Sequence, residues 1–283
     1  MLALIAAILS AGATIFIRQA FRTSGPYVGF WINVLVGAIG LWIAVAVAGG
    51  PGPVSSTALM FFVLAGLIGT VAGRLLRFIA IDWVGASVAA AVVNLNPLIA
   101  TILAIVLLGE RVTVPIVTGT LVITLGTVLL SMSGQHMGFR PRLLVVPLLS
   151  ATCFGLVSIL RKLGLSGAGP LIGTALNVTT AAVAVGAFML ATRQREALVC
   201  RGRPLAYFVI AGLMENAAVL LNVVALGMGT VSVVSPLYGS SPIFVLLLSF
   251  FFLRGVERLT GRVVAGTVLI VLGIYLLTAL AGR

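Results

Sequence analysis

The sequence predicts an all-α, polytopic membrane protein: ten transmembrane helices arranged as two inverted five-helix repeats. Three observations carry that expectation. Of 283 residues, 61% are hydrophobic and only 8% charged, against roughly a quarter charged in soluble chains. The apolar residues come in blocks of about twenty, the length that crosses the hydrocarbon layer. The second half of the chain also repeats the first, motif by motif, with an odd number of blocks in each copy.

Apolar blocks, read against Gly, Pro and charged boundaries, place the ten spans near 2–20, 27–48, 58–80, 85–108, 113–132, 143–161, 170–191, 205–227, 231–253 and 260–281. Pro26, Pro170 and Pro204 fall at or just before a first turn, where a missing N–H costs nothing. The loops are short, so neighbouring helices run antiparallel and no soluble domain fits between them. A secretory leader is the rival reading of "MLALIAAILSAGATI", but no basic stretch precedes its apolar core. Its "LSA" at 9–11 also meets "LSA" at 149–151, so a retained first span is expected.

The duplication sets the domains at 1–134 and 143–283. "GPYVGFWIN" (25–33) recurs as "GPLIGTALN" (169–177), and "ERVTVPIVTGTLVITLG" (110–126) as "ERLTGRVVAGTVLIVLG" (257–273). "AGL" at 65–67 matches 211–213, Ser87 matches Ser232, and Pro97 matches Pro242. An odd number of spans per copy starts the second copy on the opposite membrane face. Inverted repeats of this kind build secondary transporters, with the solute site near mid-bilayer between the copies.

A mid-span proline, then Glu-Arg-x-Thr, then a helix with glycines seven apart occurs twice. The residues are Pro97, Glu110–Thr113 and Gly119/Gly126, then Pro242, Glu257–Thr260 and Gly266/Gly273. This pattern resembles the EamA-type branch of the drug/metabolite transporter superfamily, over essentially the whole chain. The resemblance implies ten helices and a central cavity lined mainly by the third and fourth helices of each half, with help from the first. It also implies small organic solutes, often moved outward.

Within that frame the greasy "VVNLNPLIAT" and "LYGSSPIFVL" raise the same question, because each carries polar side chains just ahead of a proline. A proline frees the carbonyl four residues back, here Val93 for Pro97 and Tyr238 for Pro242, with Pro236 freeing Ser232. Freed backbone at mid-bilayer is tolerated only against protein or a hydrated cavity. Asn94, Asn96, Pro97, Tyr238, Ser240, Ser241 and Pro242 are therefore the expected cavity residues, with Asn222 from the eighth span. The competing reading is helix–helix hydrogen bonding, at about 1 kcal/mol per contact. That reading fits Asn33 and Asn177 better, and the seven-spaced glycines read as close packing.

Glu215 lies about ten residues into the eighth span, roughly 15 Å deep at 1.5 Å per residue. An intramembrane carboxylate is costly and points to function unless it is paired. Arg74 and Arg77 share a face of the third span, the repeat equivalent. One expectation makes Glu215 a protonation or gating site while the arginines attract a carboxylate or phosphate. The other pairs Glu215 with Arg74 structurally and lets Arg77 reach lipid headgroups. Glu110–Arg111 and Glu257–Arg258 are expected to fix the turn into the next helix.

The net charge of +12 does not indicate nucleic acid, because the basic residues are scattered through short gaps between apolar blocks. Two unpaired cysteines, Cys153 and Cys200, and one histidine, His136, offer neither a metal site nor a catalytic cluster. No Walker-type loop is present. The expectation is a non-enzymatic secondary transporter without cofactor in a prokaryotic plasma membrane, monomeric or homodimeric. It would export a small polar or anionic metabolite by alternating access, driven by a proton gradient or by the solute's own gradient. The alternative is a channel or a lipid or headgroup flippase of the same fold.

Basic residues also speak to orientation. Loops after odd-numbered spans hold eleven, including Arg193, Arg195, Arg201 and Arg203, and the even side holds four. The resemblance implies cytoplasmic termini, whereas the positive-inside rule places both termini outside. A phosphatase fused to the C-terminus is expected to be active in the periplasm, and a fluorescent protein fused there to stay dark.

Overall fold

The computed structural model describes residues 1–21, 24–84, 86–131, 141–191, 200–252 and 261–280. His136, Glu257, Arg258, Thr260, Arg193 and Arg195 lie outside the described residues. In chain order the α-helices are α1 (Leu2–Ala20), α2 (Pro26–Val47), α3 (Ser56–Ala65), α4 (Arg74–Val84), α5 (Ala86–Val93), α6 (Asn96–Leu108) and α7 (Val114–Ser131). They continue as α8 (Val145–Gly164), α9 (Pro170–Ala191), α10 (Arg203–Met228), α11 (Val231–Gly239), α12 (Ser241–Phe252) and α13 (Gly261–Tyr275). A π-helix, Gly66–Gly73, joins α3 to α4. Among the described residues no strand forms beyond an isolated bridge between Val54 and Ala168.

Among the described residues nine apolar helical stretches are long enough to cross a membrane, and the fifth span is present as the shorter Val114–Leu130. The protein is an all-α, multi-pass membrane protein, as its composition predicts. Among the described residues the third span is interrupted by the π-helix, the fourth at Asn94–Leu95 and the ninth at Ser240, and the tenth closes in a second π-helix, Leu276–Leu280.

The helices form two compact units that cut across the sequence halves. One comprises Met1–Val71 with Leu160–Gly227, the other Ala72–Ile159 with Met228–Arg283. Each unit therefore draws equivalent helices from both copies.

In the first unit α2 lies along its repeat equivalent α9. Trp31 sits over Gly186, the Trp42 indole N–H donates to Thr179 Oγ1 at 2.8 Å, and Leu41 and Val45 share a core with Ile172, Ala175 and Val178. Numbers rise along α2 as they fall along α9, so the equivalents are antiparallel. The core centres on Phe62, which is fully buried against Gly164 and Gly173. Along α1 and α10, Gly12 meets Met214, Phe16 meets Tyr207 with ring centroids 6.3 Å apart, and Phe21 meets Phe208 edge-on at 5.9 Å. That pair is antiparallel too.

The second unit repeats the arrangement with α7 and α13. Gly119 faces Gly273, and Gly126 faces Gly266. A Cβ built on Gly126 would lie 2.7 Å from the Gly266 carbonyl oxygen, and one on Gly266 would lie 2.8 Å from that of Gly126. Lipid removes the hydrophobic drive for helix association, so close backbone approach at small residues supplies it. The buried hydroxyls of Thr120, Thr124 and Thr127 bond back to carbonyls of their own helix, which keeps this face dry. Gly126→Val is expected to lower the melting temperature in detergent, consistent with overpacking that costs about 1–3 kcal/mol. The lipid-exposed Leu125→Val, 57% accessible, should change it little.

Candidate functional site

The fourth and ninth spans are each two helices with a break between them. α5 ends at Val93 and α6 resumes at Asn96; α11 ends at Gly239 and α12 resumes at Ser241. Pro97 and Pro242 thus occupy the second position of a resumed helix, where the missing N–H has no intrahelical partner to lose. The distortion falls two to three residues ahead of Pro97, at Asn94–Leu95, and two ahead of Pro242, at Ser240.

The polar side chains at the breaks serve the backbone. Asn96 Nδ2 donates to the Val93 carbonyl at 3.0 Å, the acceptor expected to lose its partner to Pro97. Ser240 Oγ donates to the Leu237 carbonyl at 2.7 Å, and Thr101 Oγ1 to the Pro97 carbonyl at 2.9 Å. An orphaned carbonyl in an apolar interior would cost about 1–3 kcal/mol.

α6 and α11 run antiparallel within the second unit, and their breaks meet. The buried Pro97 ring rests on Gly239: a Cβ built there would come 2.5 Å from Pro97 Cγ. Asn94, Tyr238, Ser241 and Pro242 are half-buried around this contact. The Ser235 hydroxyl, one turn before Gly239 and beside Pro236, is buried without a hydrogen-bond partner.

The same pair of helices is clamped at its far end by Glu110. Its carboxylate accepts from the backbone N–H of Val231 at 2.7 Å (Oε1) and of Ser232 at 3.0 Å (Oε2). The N-cap residue of α11, Thr230, makes no side-chain cap of its own. Glu110 therefore reaches from the first copy to cap a helix of the second, where a negative charge suits the helix dipole. The sequence reading gave it a local role in the turn; the nearest unsatisfied donors are on the other copy.

In the first unit Glu215 accepts a hydrogen bond from Ser10 Oγ at 2.9 Å. The next residue, Asn216, donates from Nδ2 to the Asn33 carbonyl at 3.1 Å and to the Gly212 carbonyl at 2.7 Å. Asn177 accepts from Arg161 Nε at 3.0 Å and donates to Thr70 Oγ1 at 3.3 Å. In the repeat register Asn33 corresponds to Asn177 and Thr70 to Asn216. A second-type helix thus bonds a third-type helix in both places, through the Asn177 side chain in one and through the Asn33 backbone carbonyl in the other. Lys162 Nζ donates to the Leu226 carbonyl at 2.7 Å, in the last turn of α10, where a cation suits the helix end.

Asn222 is buried in α10. Arg74 opens α4 half-buried, and Arg77 is exposed one turn on; both belong to the second unit, Glu215 to the first. Among the described residues no three His, Cys, Asp or Glu side chains group as metal ligands.

Ser10 and the cap by Glu110 were missed by sequence reasoning. A signal for the first existed in the "LSA" repeat. Its second serine, Ser150, donates to the Gly73 carbonyl at 2.8 Å, so both serines bond to a third-type helix.

Two copies, antiparallel at α2/α9 and at α7/α13, with a break in each fourth-type span, define a polytopic carrier-type architecture. The sequence matches the EamA-like transporter family twice, over residues 1–132 and 142–279, and the chain belongs to that family. It is a multi-pass membrane transporter of the drug/metabolite transporter superfamily. A solved crystal structure superposes with a TM-score of 0.82 at 21% identity, covering 100% of this chain and 97% of the other. At that identity the likeness speaks to the fold. No curated relative matches by sequence.

Glu110→Gln keeps the shape of the side chain but loses the charged acceptor. It is expected to destabilise the protein by about 1 kcal/mol, the scale of a lost cap, read as a lower melting temperature. Arg111→Gln, on the neighbouring exposed side chain, should have no such effect.

Proposed function

We propose that the protein is a secondary active exporter of a small polar or anionic metabolite, working by alternating access and coupled to protons. The observation that carries this reading is the meeting of two broken helices, one from each copy, at Pro97 and Gly239. Interrupted backbone at membrane depth lines solute paths, because lipid cannot satisfy it. Asn94, Tyr238 and Ser241 are the half-buried side chains at the break that face the solute in this reading.

Glu215 is the proton-carrying group in this reading. A carboxylate within an apolar helix is costly unless it is used, and the Ser10 hydroxyl gives it a partner without neutralising it. Arg74 and Arg77, on the third span, attract the anionic part of the solute by charge and by their forked donors. The protein sits in a prokaryotic plasma membrane with both termini outside.

Metabolite profiling of a deletion strain against an overexpressing strain identifies the solute. In proteoliposomes its uptake is expected to saturate and to depend on a pH gradient, and Glu215→Gln is expected to abolish that dependence while the protein still inserts. An unaltered pH profile in Glu215→Gln rejects the proton role. Flux that rises without saturation identifies a channel.

A further inference from the structure

Four independent features of the third span meet at one place. Its middle is a π-helix, Gly66–Gly73, whereas the matching span of the second copy, α10, is α-helical through all 26 residues. The chain passes from one compact unit to the other between Val71 and Ala72, inside that π-helix. The other two crossings, Ile159 to Leu160 and Gly227 to Met228, fall towards the ends of α8 and α10. Only the third span changes unit in mid-helix.

The parts of the π-helix on either side of that crossing are held by different units. Thr70 Oγ1 accepts from Asn177 in the first, and the Gly73 carbonyl accepts from Ser150 in the second. Packing fixes the same two parts. A Cβ on Gly66 would lie 2.6 Å from the Asn177 carbonyl oxygen, and one on Gly73 would lie 3.2 Å from the Phe154 ring. The fourth feature is in the sequence. From Leu67 to Ser87 is twenty residues, while the matched interval from Leu213 to Ser232 is nineteen. One extra residue in a helix whose flanks are held in register is absorbed as a wide, i→i+5 turn.

We propose that this inserted residue turns the third span into a hinge, present in the first copy only, at which the helix bends as the two units move. Wide turns of this type are rare and concentrate at functional sites. A hinge needs a few residues that absorb the dihedral change while the flanks stay packed. Val71 and Ala72, between the Thr70 and Gly73 contacts, are those residues. The second copy, lacking the insertion, moves α10 as a rigid rod. Transport in two pseudo-symmetric copies therefore proceeds by an asymmetric movement.

The inference rests on the alternating-access reading, and two measurements separate their failures. By hydrogen–deuterium exchange of the protein in lipid nanodiscs, the amides of 69–74 are expected to exchange at least ten-fold faster than the matched 215–220. Equal rates overturn the hinge. The second measurement deletes Val71, which removes the extra residue and keeps both flanking registers. In a Cys153→Ser, Cys200→Ser background carrying Tyr238→Cys, the deletion is expected to slow labelling by a membrane-impermeant methanethiosulfonate at least ten-fold, with the melting temperature unchanged. Labelling at the undeleted rate overturns the hinge and leaves the solute path standing. If Tyr238→Cys is not labelled even without the deletion, the solute path fails, and exchange alone judges the hinge, as it does if the deleted chain does not fold.

Discussion

The structure depends on one constraint: each helix of the first copy that meets its equivalent in the second must meet it antiparallel. Glycine makes this work between α7 and α13, where Gly119 and Gly126 lie against Gly273 and Gly266 and bring backbone to backbone. The pairing exchanges repeat-equivalent glycines, so a single favourable crossing is counted twice. Aromatic and polar contacts do the same for α2 and α9. In a membrane, where water does not drive helices together, such repeated close contacts are the main source of cohesion.

From that constraint follows the way the copies share their helices. The compact units are not the repeats; each draws helices from both, α2 with α9 in one and α7 with α13 in the other. The Asn33–Asn216 and Asn177–Thr70 bonds both tie a second helix of one copy to a third helix of the other. The carboxylate of Glu110 ties the end of a fourth-type helix to the start of its partner. Polar groups of each copy are bonded by the other, so the duplication is structural as well as historical.

Function enters where the two copies differ. Glu215 on the eighth span has Gly69 as its repeat equivalent, and the π-helix on the third span has an unbroken helix as its equivalent. A symmetric scaffold supplies two similar end states. The departures from symmetry supply a chemical group and a bend. The broken fourth and ninth spans lie between these extremes, since both copies keep the break, but Asn96 bonds the Val93 carbonyl that Pro97 frees, whereas Ser240 bonds Leu237 and not the Tyr238 carbonyl that Pro242 frees.

The sequence by itself determined the class, the number of spans, the duplication and the positions of both breaks. Each rests on local quantities, such as block length, spacing and the missing N–H of proline. It also singled out Asn94, Asn96, Tyr238, Ser240 and Ser241 as a group, because they cluster beside the prolines. Only the tertiary structure decided what those groups bond to. Asn96 turns back to Val93, Glu110 reaches across more than a hundred residues to Val231, and Ser10 meets Glu215 from the other end of the chain. A hydrogen bond is made with whichever donor the fold brings near, and for helices from different copies that nearness is a property of packing. The one-residue offset between the copies was in the sequence throughout. Its meaning as a π-turn came from structure, because only held flanks force an extra residue into the helix instead of the loop.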